Sequence, residues 1–366
     1  VSVGETNALR HLVPLLTPHA QVVISAGTDT GLARATELYS ASATVVRYPL
    51  DFSWAVDRFL HAVKPDAVGL VELELWPQFV AACSRRSIPV GVINGRLSAR
   101  SFKGYRRIRP FIGRSFRRLA IAAVQDSAYQ SRFIEMGVPA DRCTVTGTMK
   151  WDASTIADSV PGSAELAHEL GIDPSKPLIV AGSTGPGEEE LLHKACPTDV
   201  QLLCAPRKPE RFDEAASALP GCVRRSRKQL VPVGSTNRFL LDTIGELRRA
   251  YALANVVVVG RSFGKQHGSD PIEPISLGKP TVIGPAYGDF ETTVRAFLDA
   301  QGIVTCTSEE LGRVLSQLLR NPEGSSALAE RGRECIRGQQ GASQRHADLL
   351  LKLGQNGPRG GLRQGI

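Results

Sequence analysis

The chain has 366 residues, 42% hydrophobic and 22% charged, which is enough apolar material for two cores, and a formal net charge of +8. It holds no run of about 18 apolar residues and no signal-peptide pattern, so no helix of this sequence is expected to cross a membrane. Its seven cysteines (Cys83, Cys143, Cys196, Cys204, Cys222, Cys306 and Cys335) form no Cys-x-x-Cys pair, which argues against a zinc site or disulfide framework and for reduced, cytosolic thiols.

The opening Val1-Ser2-Val3-Gly4-Glu5 reads as a strand remnant running into a glycine turn that carries a carboxylate. In open α/β sheets ligands gather beyond the carboxyl ends of the strands, so Glu5 is a candidate catalytic base, although an exposed loop glutamate has the same local sequence. The first residue is Val rather than Met, so a preceding segment is expected, and a membrane anchor would lie there.

Residues 6–16 predict a helix with Leu9, Leu12, Val13 and Leu16 at helical spacing. Strands follow at 21–25, 44–47, 67–71, 90–93, 121–125 and 143–146, alternating with helices at 54–63, 77–86 and 128–136. This alternation implies a mainly parallel sheet covered by helices on both faces. The rhythm breaks around 151–176, where Pro161, Gly162, Gly171 and Pro174 punctuate a polar helix at about 163–170. A second cycle of strands occupies 178–181, 201–204, 238–241, 256–259, 281–283 and 302–304, and a helix at 342–353 closes the chain. The expected fold is α/β with two Rossmann-like domains, 1–155 and 177–353, joined by a linker at 156–176 and followed by a flexible tail at 354–366. Dehydrogenases and other two-domain α/β proteins share this coarse pattern.

Chemistry-bearing residues collect at the predicted strand ends. Glu72 and Glu74 follow the third strand as Glu-Leu-Glu-Leu-Trp-Pro, and strand alternation puts both carboxylates on one face. Asn94-Gly95-Arg96 adds an amide and a guanidinium to the same rim. Gly147-Thr148-Met149-Lys150-Trp151-Asp152 closes the first domain, and Lys150 turns a cation toward the inter-domain cleft. In the second half, Gly182-Ser183-Thr184-Gly185-Pro186-Gly187 leads from a strand into a helix, so backbone N–H groups and the Ser183 and Thr184 hydroxyls are candidates for an anion site. It matches neither the Walker A nor the dinucleotide fingerprint. Pro206-Arg207 ends the next strand with a guanidinium suited to bidentate phosphate binding.

Asp242 or Thr243 is expected to cap the helix after Asp-Thr-Ile-Gly-Glu-Leu, where Gly245 permits close approach of a flat base. Asp270-Pro271-Ile272-Glu273 reads as a loop entering a helix. Glu273 there can accept hydrogen bonds from ribose hydroxyls, or merely complement a helix dipole. No residues have metal-ligand spacing, and no cofactor is expected.

The charge is uneven. Between Arg96 and Arg118 stand nine Lys or Arg and no Asp or Glu, interleaved with Phe102, Tyr105, Ile108, Phe111, Ile112 and Phe116. Such a segment favours anionic partners, whether lipid headgroups or a nucleic-acid backbone, and it is also compatible with a solvated helix face.

Taken together, Ser-Val-Gly-Glu (2–5), Glu-Leu-Glu-Leu-Trp-Pro (72–77), Asn-Gly-Arg-Leu-Ser-Ala-Arg-Ser (94–101), Gly-Thr-Met-Lys-Trp-Asp (147–152), Ala-Pro-Arg-Lys-Pro-Glu-Arg-Phe (205–212), Asp-Thr-Ile-Gly-Glu-Leu (242–247) and Asp-Pro-Ile-Glu-Pro (270–274) resemble the 3-deoxy-D-manno-octulosonic acid (Kdo) transferases over nearly the whole chain. The resemblance implies a glycosyltransferase-B architecture with the active site in the inter-domain cleft, a CMP-Kdo donor and a lipid A precursor as acceptor. It aligns Glu5 with the family's catalytic base, and Glu72 and Lys150 with groups that stabilise the transition state. Pro206, Arg207, Ile244, Gly245, Glu246, Asp270, Pro271, Ile272 and Glu273 fall on its nucleotide-binding stretches. Asp270 stands where the family usually has Asn.

On that footing, Glu5 deprotonates the acceptor hydroxyl in an inverting displacement, and the departing phosphate is neutralised by Arg207 and Lys150 without a metal. The basic segment then faces an anionic membrane surface, which implies peripheral attachment to the cytoplasmic face of the bacterial inner membrane and no nucleic-acid partner. Another sugar-nucleotide enzyme of the same architecture, such as a UDP-sugar epimerase, and a basic nucleic-acid-binding protein remain as other readings.

Overall fold

Short runs of Val, Ile and Leu bounded by glycine, proline or polar turns are what a strand buried on both faces requires, and they form the sheets here. The computed structural model describes residues 3–227 and 231–358, in two units: Val1–Ala153 with Gln339–Ile366, and Ser154–Gly338.

In the first unit the strands are β1 (Val23–Ala26), β2 (Thr44–Arg47), β3 (Val68–Val71), β4 (Val90–Gly95), β5 (Ile121–Val124) and β6 (Cys143–Val145). All pairings are parallel, in a two-stranded sheet β1-β2 and a four-stranded sheet β3-β4-β5-β6. β4 is buried throughout and is flanked by Phe79, Val80, Phe116 and Phe133 of the core. The edges of β1 and β3 line a common cavity of about 1070 Å³, together with Leu9, Leu12, Val13 and Phe79.

The beginning of the chain departs from expectation. Val1 and Ser2 lie outside the described residues, and the helix Val3–Ala8 contains Glu5 in its first turn, so Val3 and Gly4 are helical where a strand remnant and turn were expected. The helix expected over 6–16 is also broken into Val3–Ala8, a 3-10 turn at Leu9–His11 and Val13–Leu16. Pro14 stands in the first turn of the last piece, where its missing N–H costs least.

The closing helix, Ala342–Gln355, belongs to the first unit and not to the second domain as expected. Its buried Ala342 and Ala347 join Leu9, Val71, Ile93 and Met149 in one cluster. Two strand glycines permit the approach: a Cβ on Gly69 would stand 2.9 Å from Leu350, and one on Gly91 would stand 3.3 Å from Leu353. Of the expected tail, residues through Gln355 continue this helix and 359–366 lie outside the described residues.

In the second unit the strands are β7 (Leu178–Thr184), β8 (Gln201–Pro206), β9 (Val223–Arg224), β10 (Arg238–Leu240), β11 (Val256–Val259), β12 (Thr281–Ile283) and β13 (Val304–Thr305). They form one parallel sheet in the order β13-β12-β11-β7-β8-β10-β9. The expected linker is not a bare connection, since Leu166 and Leu170 of the helix Ser163–Leu170 are buried in this unit's core. The chain crosses from β7 to β8 on one side and later to β11 on the other. The order therefore reverses at β7, and ligands of open α/β sheets bind beyond the carboxyl ends of strands at such a reversal. The loops after β7, β8 and β11 end there.

Candidate active site

In the first unit, the expected catalytic side chains share one electrostatic neighbourhood. β3 ends at Val71, and Glu72 turns out of the strand with φ 57°, its N–H donating to the Ile93 carbonyl. This left-handed turn overturns the expectation that Glu72 and Glu74 share a strand face, since the alternation stops before either. The Glu72 carboxyl is held above its ordinary range, first by burial and then by the Glu5 carboxylate, while Arg96 and Lys150 pull it down and Glu74 adds a smaller upward push. Glu5 and Lys150, 145 positions apart in sequence (150 − 5), thus both act on the charge of Glu72. Glu5 is half-buried and Lys150 is exposed. Glu74 accepts a hydrogen bond from Trp76 Nε1 at 2.9 Å.

Asn94 does not offer its amide to the rim as expected. It is buried with φ 51°, and its Oδ1 accepts the Met149 N–H at 3.2 Å. The side chain works inside the fold, one residue from Lys150.

In the second unit, Pro206 ends β8, and the exposed Arg207 follows it with its N–H on the Thr184 carbonyl at 3.1 Å. The charges of Arg207, Asp270 and Glu273 act on the buried Tyr251 hydroxyl: burial raises its pKa most, Glu273 and Asp270 raise it further, and Arg207 lowers it. Gly182 leaves the space for that hydroxyl, which a Cβ would meet at 1.9 Å. Glu273, in the first turn of the helix Ile272–Ser276, is also held above its ordinary range, chiefly by burial and against the pull of Arg248. Asp270 Oδ1 accepts the Ile272 N–H at 3.0 Å, a bond that an Asn Oδ1 would make equally well. Pro271 and Ile272 are buried in this turn and fix its shape.

Ile244 is 73% exposed, and Gly245, with φ 91°, has open space above its Cα. Glu246 accepts from Thr243 at 2.5 Å and from Arg225 at 3.1 Å. Burial pushes its pKa up, but these hydrogen bonds bring it below the ordinary range. The expected cap of the following helix is absent: Glu246 occupies the N-cap of Leu247–Leu253 without a side-chain cap bond, and the Asp242 carboxylate accepts instead from Ser226 and Arg224.

The loop Ser183–Gly187 was expected to hold an external anion, and the chain supplies that anion itself. Glu188 is buried, and its carboxylate accepts N–H bonds from Gly185 (2.7 Å), Arg261 (2.6 Å), Ser262 (2.8 Å) and Phe263 (3.0 Å). Thr184 is buried and donates its hydroxyl to Glu189 at 2.6 Å, which removes it from any open site, while Ser183 adopts φ 57° and is half-buried. Beside this arrangement, Gly185, Pro186, Arg261, Lys265 and Gln266 line a cavity of about 240 Å³. Arg261, Lys265, Tyr251 and Arg248 were not among the expected site residues. Only the Gly-Arg pair closing the Val-rich strand 256–259 carried a local signal.

Two Rossmann-like α/β units define the architecture, and solved structures share it. They include Anabaena Alr3699/HepE in complex with UDP, at 16% identity over 95% of this chain and 96% of that one with a TM-score of 0.62. The UDP-GlcNAc 2-epimerase of Neisseria meningitidis bound to UDP-GlcNAc matches at 17% identity over 96% and 98%, also with a TM-score of 0.62.

Sequence comparison narrows the class. The family model described as 3-Deoxy-D-manno-octulosonic-acid transferase (kdotransferase) matches residues 1–153. The 3-deoxy-D-manno-octulosonic acid transferase of Haemophilus influenzae is 31% identical over 364 residues, covering 95% of this chain and 84% of that protein. That of Bordetella pertussis is 29% identical over 370 residues, covering 96% and 85%. The chain belongs to the 3-deoxy-D-manno-octulosonic acid transferase family. Neither the epimerase reading nor the nucleic-acid reading is favoured by these relatives.

Proposed function

We propose that this protein is an inverting, glycosyltransferase-B enzyme that moves Kdo from CMP-Kdo to a lipid A precursor in lipopolysaccharide assembly. The observation that carries the reading is that the charges of Glu5, Arg96 and Lys150 all act on the buried Glu72 carboxyl at the end of β3, in a chain of this family. Glu5 removes the proton from the acceptor hydroxyl as its oxygen attacks the anomeric carbon, and the bond to the CMP phosphate breaks with inversion. Lys150 and Glu72 manage charge around the attacking centre. On the second unit, Arg207 pairs the phosphate, Glu273 accepts from the ribose, and the open face of Gly245 receives the base. Ile244, Glu246 and Asp270 shape that pocket. The phosphate leaves on arginine and lysine charge, so the mechanism calls on no metal.

The helices Ala99–Arg107 and Arg109–Arg117 carry the basic run, with Ile112 and Phe116 buried beneath them and Phe111 84% exposed between their charges. Exposed aromatic and cationic side chains on one helical face suit an interfacial attachment to anionic lipid. We place the protein peripherally on the cytoplasmic face of the inner membrane. Among the described residues, no helix is long and apolar enough to cross a membrane.

The direct test is to incubate the protein with CMP-Kdo and lipid A precursor and to weigh the lipid product. The expected result is a gain of one or more Kdo masses. Glu5→Ala is expected to lower turnover by about 10²- to 10⁴-fold, the range of general-base catalysis. Near-normal transfer by Glu5→Ala, with loss in Glu72→Ala, would move the base to Glu72.

A further inference from the structure

Lys150 is exposed on a loop whose neighbouring side chains, Met149 and Trp151, are buried. A lysine on a free loop is a poor catalytic group, because its long stem and its backbone must both be ordered before its charge lands where it is needed. The loop after β6 is not free, and what holds it comes from almost 200 residues later in the chain.

Asp152 grips the start of the closing helix, its Oδ1 accepting the Gly341 N–H and its Oδ2 accepting the Ser343 N–H, both at 2.6 Å. A carboxylate on the N–H groups of a helix N-terminus makes short, charge-assisted bonds and meets the positive end of the helix dipole. Gln340 Nε2 donates to the Trp151 carbonyl at 3.1 Å, and Arg345 Nε donates to the Thr146 carbonyl at 2.9 Å. One turn further on, His346 is buried, and its Nε2 accepts the Asn94 N–H at 3.3 Å. Asn94 in turn accepts the Met149 N–H. Residues 146, 149, 151 and 152 are thereby tied to the residues Gln340–His346, directly or through Asn94, and Lys150 is the cation these ties present. Burial drives the His346 pKa down to about 4, so the ring is a neutral acceptor near pH 7.

We infer that the first turns of the helix Ala342–Gln355 form a clamp that positions Lys150 for the transfer reaction, with Asp152, Asn94 and His346 as positioning residues. This rests on Lys150 acting in transfer, as proposed above. It also gives the closing helix a reason to return to the first unit beyond covering apolar surface.

A double-mutant cycle on the full chain tests it, with kcat and the KM for CMP-Kdo measured for Asp152→Asn, Lys150→Ala and the pair, and thermal melts alongside. Asp152→Asn is expected to lower kcat about 10- to 100-fold, the scale of a misplacement of about 1 Å, with KM nearly unchanged. On the Lys150→Ala background it should cost nothing more, because the cation it positions is gone. His346→Gln, which keeps an acceptor near the height of Nε2, should retain more activity than His346→Leu and serves if Asp152→Asn does not fold. Losses that multiply in the double variant, or a lowered melting point with unchanged kcat, would overturn the clamp while leaving the catalytic reading intact. Undiminished transfer by Lys150→Ala would overturn both.

Discussion

Burial and the Glu5 carboxylate together hold the Glu72 carboxyl above its ordinary range, against the opposing pull of Arg96 and Lys150. A raised folded pKa means that the folded state binds the proton more tightly than the unfolded chain does. The stabilisation is therefore fully present below the unfolded value, near 4.5, and is lost as pH rises through the folded one. Denaturant midpoints should fall across that window, and Glu72→Gln should flatten the fall. Glu5→Gln, which removes the second-largest cause, should narrow the window. A profile of wild-type midpoints indistinguishable from that of Glu72→Gln would contradict the coupling.

Arg207 presents its guanidinium beyond β8, one residue after Pro206. Hydrogen bonds to charged groups contribute about 1.5–3 kcal/mol, so Arg207→Ala should weaken CMP binding roughly tenfold or more in calorimetry. UDP should bind more weakly than CMP to the unaltered protein. Unchanged CMP affinity in the variant would take the phosphate away from Arg207.

The basic helices offer a charge test. Each Lys or Arg near an anionic bilayer contributes about 1 kcal/mol, so Arg100→Glu, Lys103→Glu and Arg107→Glu together should abolish measurable sedimentation with anionic liposomes. Phe111→Ser should weaken binding at every salt concentration, whereas the charge reversals should act most at low salt. Liposome binding that survives the triple reversal would return this face to ordinary solvated surface.

Arg211 pairs with Glu189 at 2.8 Å, and the glutamate side chain is only 1% exposed. Removing one partner of a buried pair strands the other charge, at a cost of about 3–5 kcal/mol. Arg211→Met should therefore destabilise the second unit strongly in urea melts, whereas the exposed Lys194→Met, which breaks only the surface pair with Glu190, should change little.

The strands were legible because their sequences leave little choice. Val-Val-Val-Val at 256–259 and Leu-Leu-Cys-Ala at 202–205 are buried on both faces, as a central parallel strand requires, and their β-branched or short apolar runs between turns favour strand over helix. The position of the closing helix was not legible. Ala347 and Leu353 give it an apolar face, but local pattern cannot say which of two cores that face joins. The glycines at 69 and 91 that receive it sit some 260 to 280 residues away in sequence. The same limit hid the roles of Asn94 and His346, which meet only in the fold.

At Gly182–Gly187 the turn pattern points to an external anion, yet Glu188 stands at the start of the helix that follows. A carboxylate next to a ring of N–H groups fills it at almost no entropic cost, so local supply won over an outside ligand. Strand alternation stops at Val71, and the left-handed turn at Glu72, which no local pattern announces, takes both carboxylates off the strand face.

β1 and β3 are both edge strands, and each faces the same large cavity, whereas β4 is paired on both sides. In a layer built this way, resistance to opening is not shared evenly. Amides in β4 are expected to exchange with solvent only when the unit as a whole gives way, and those along β1 and β3 through smaller excursions. Glu72 thus hangs from the carboxyl end of a strand tethered on one side, and Asn94, which steadies Met149 beside Lys150, belongs to the strand held on both. Hydrogen exchange should therefore be faster in the backbone that leads into Glu72 than at Asn94.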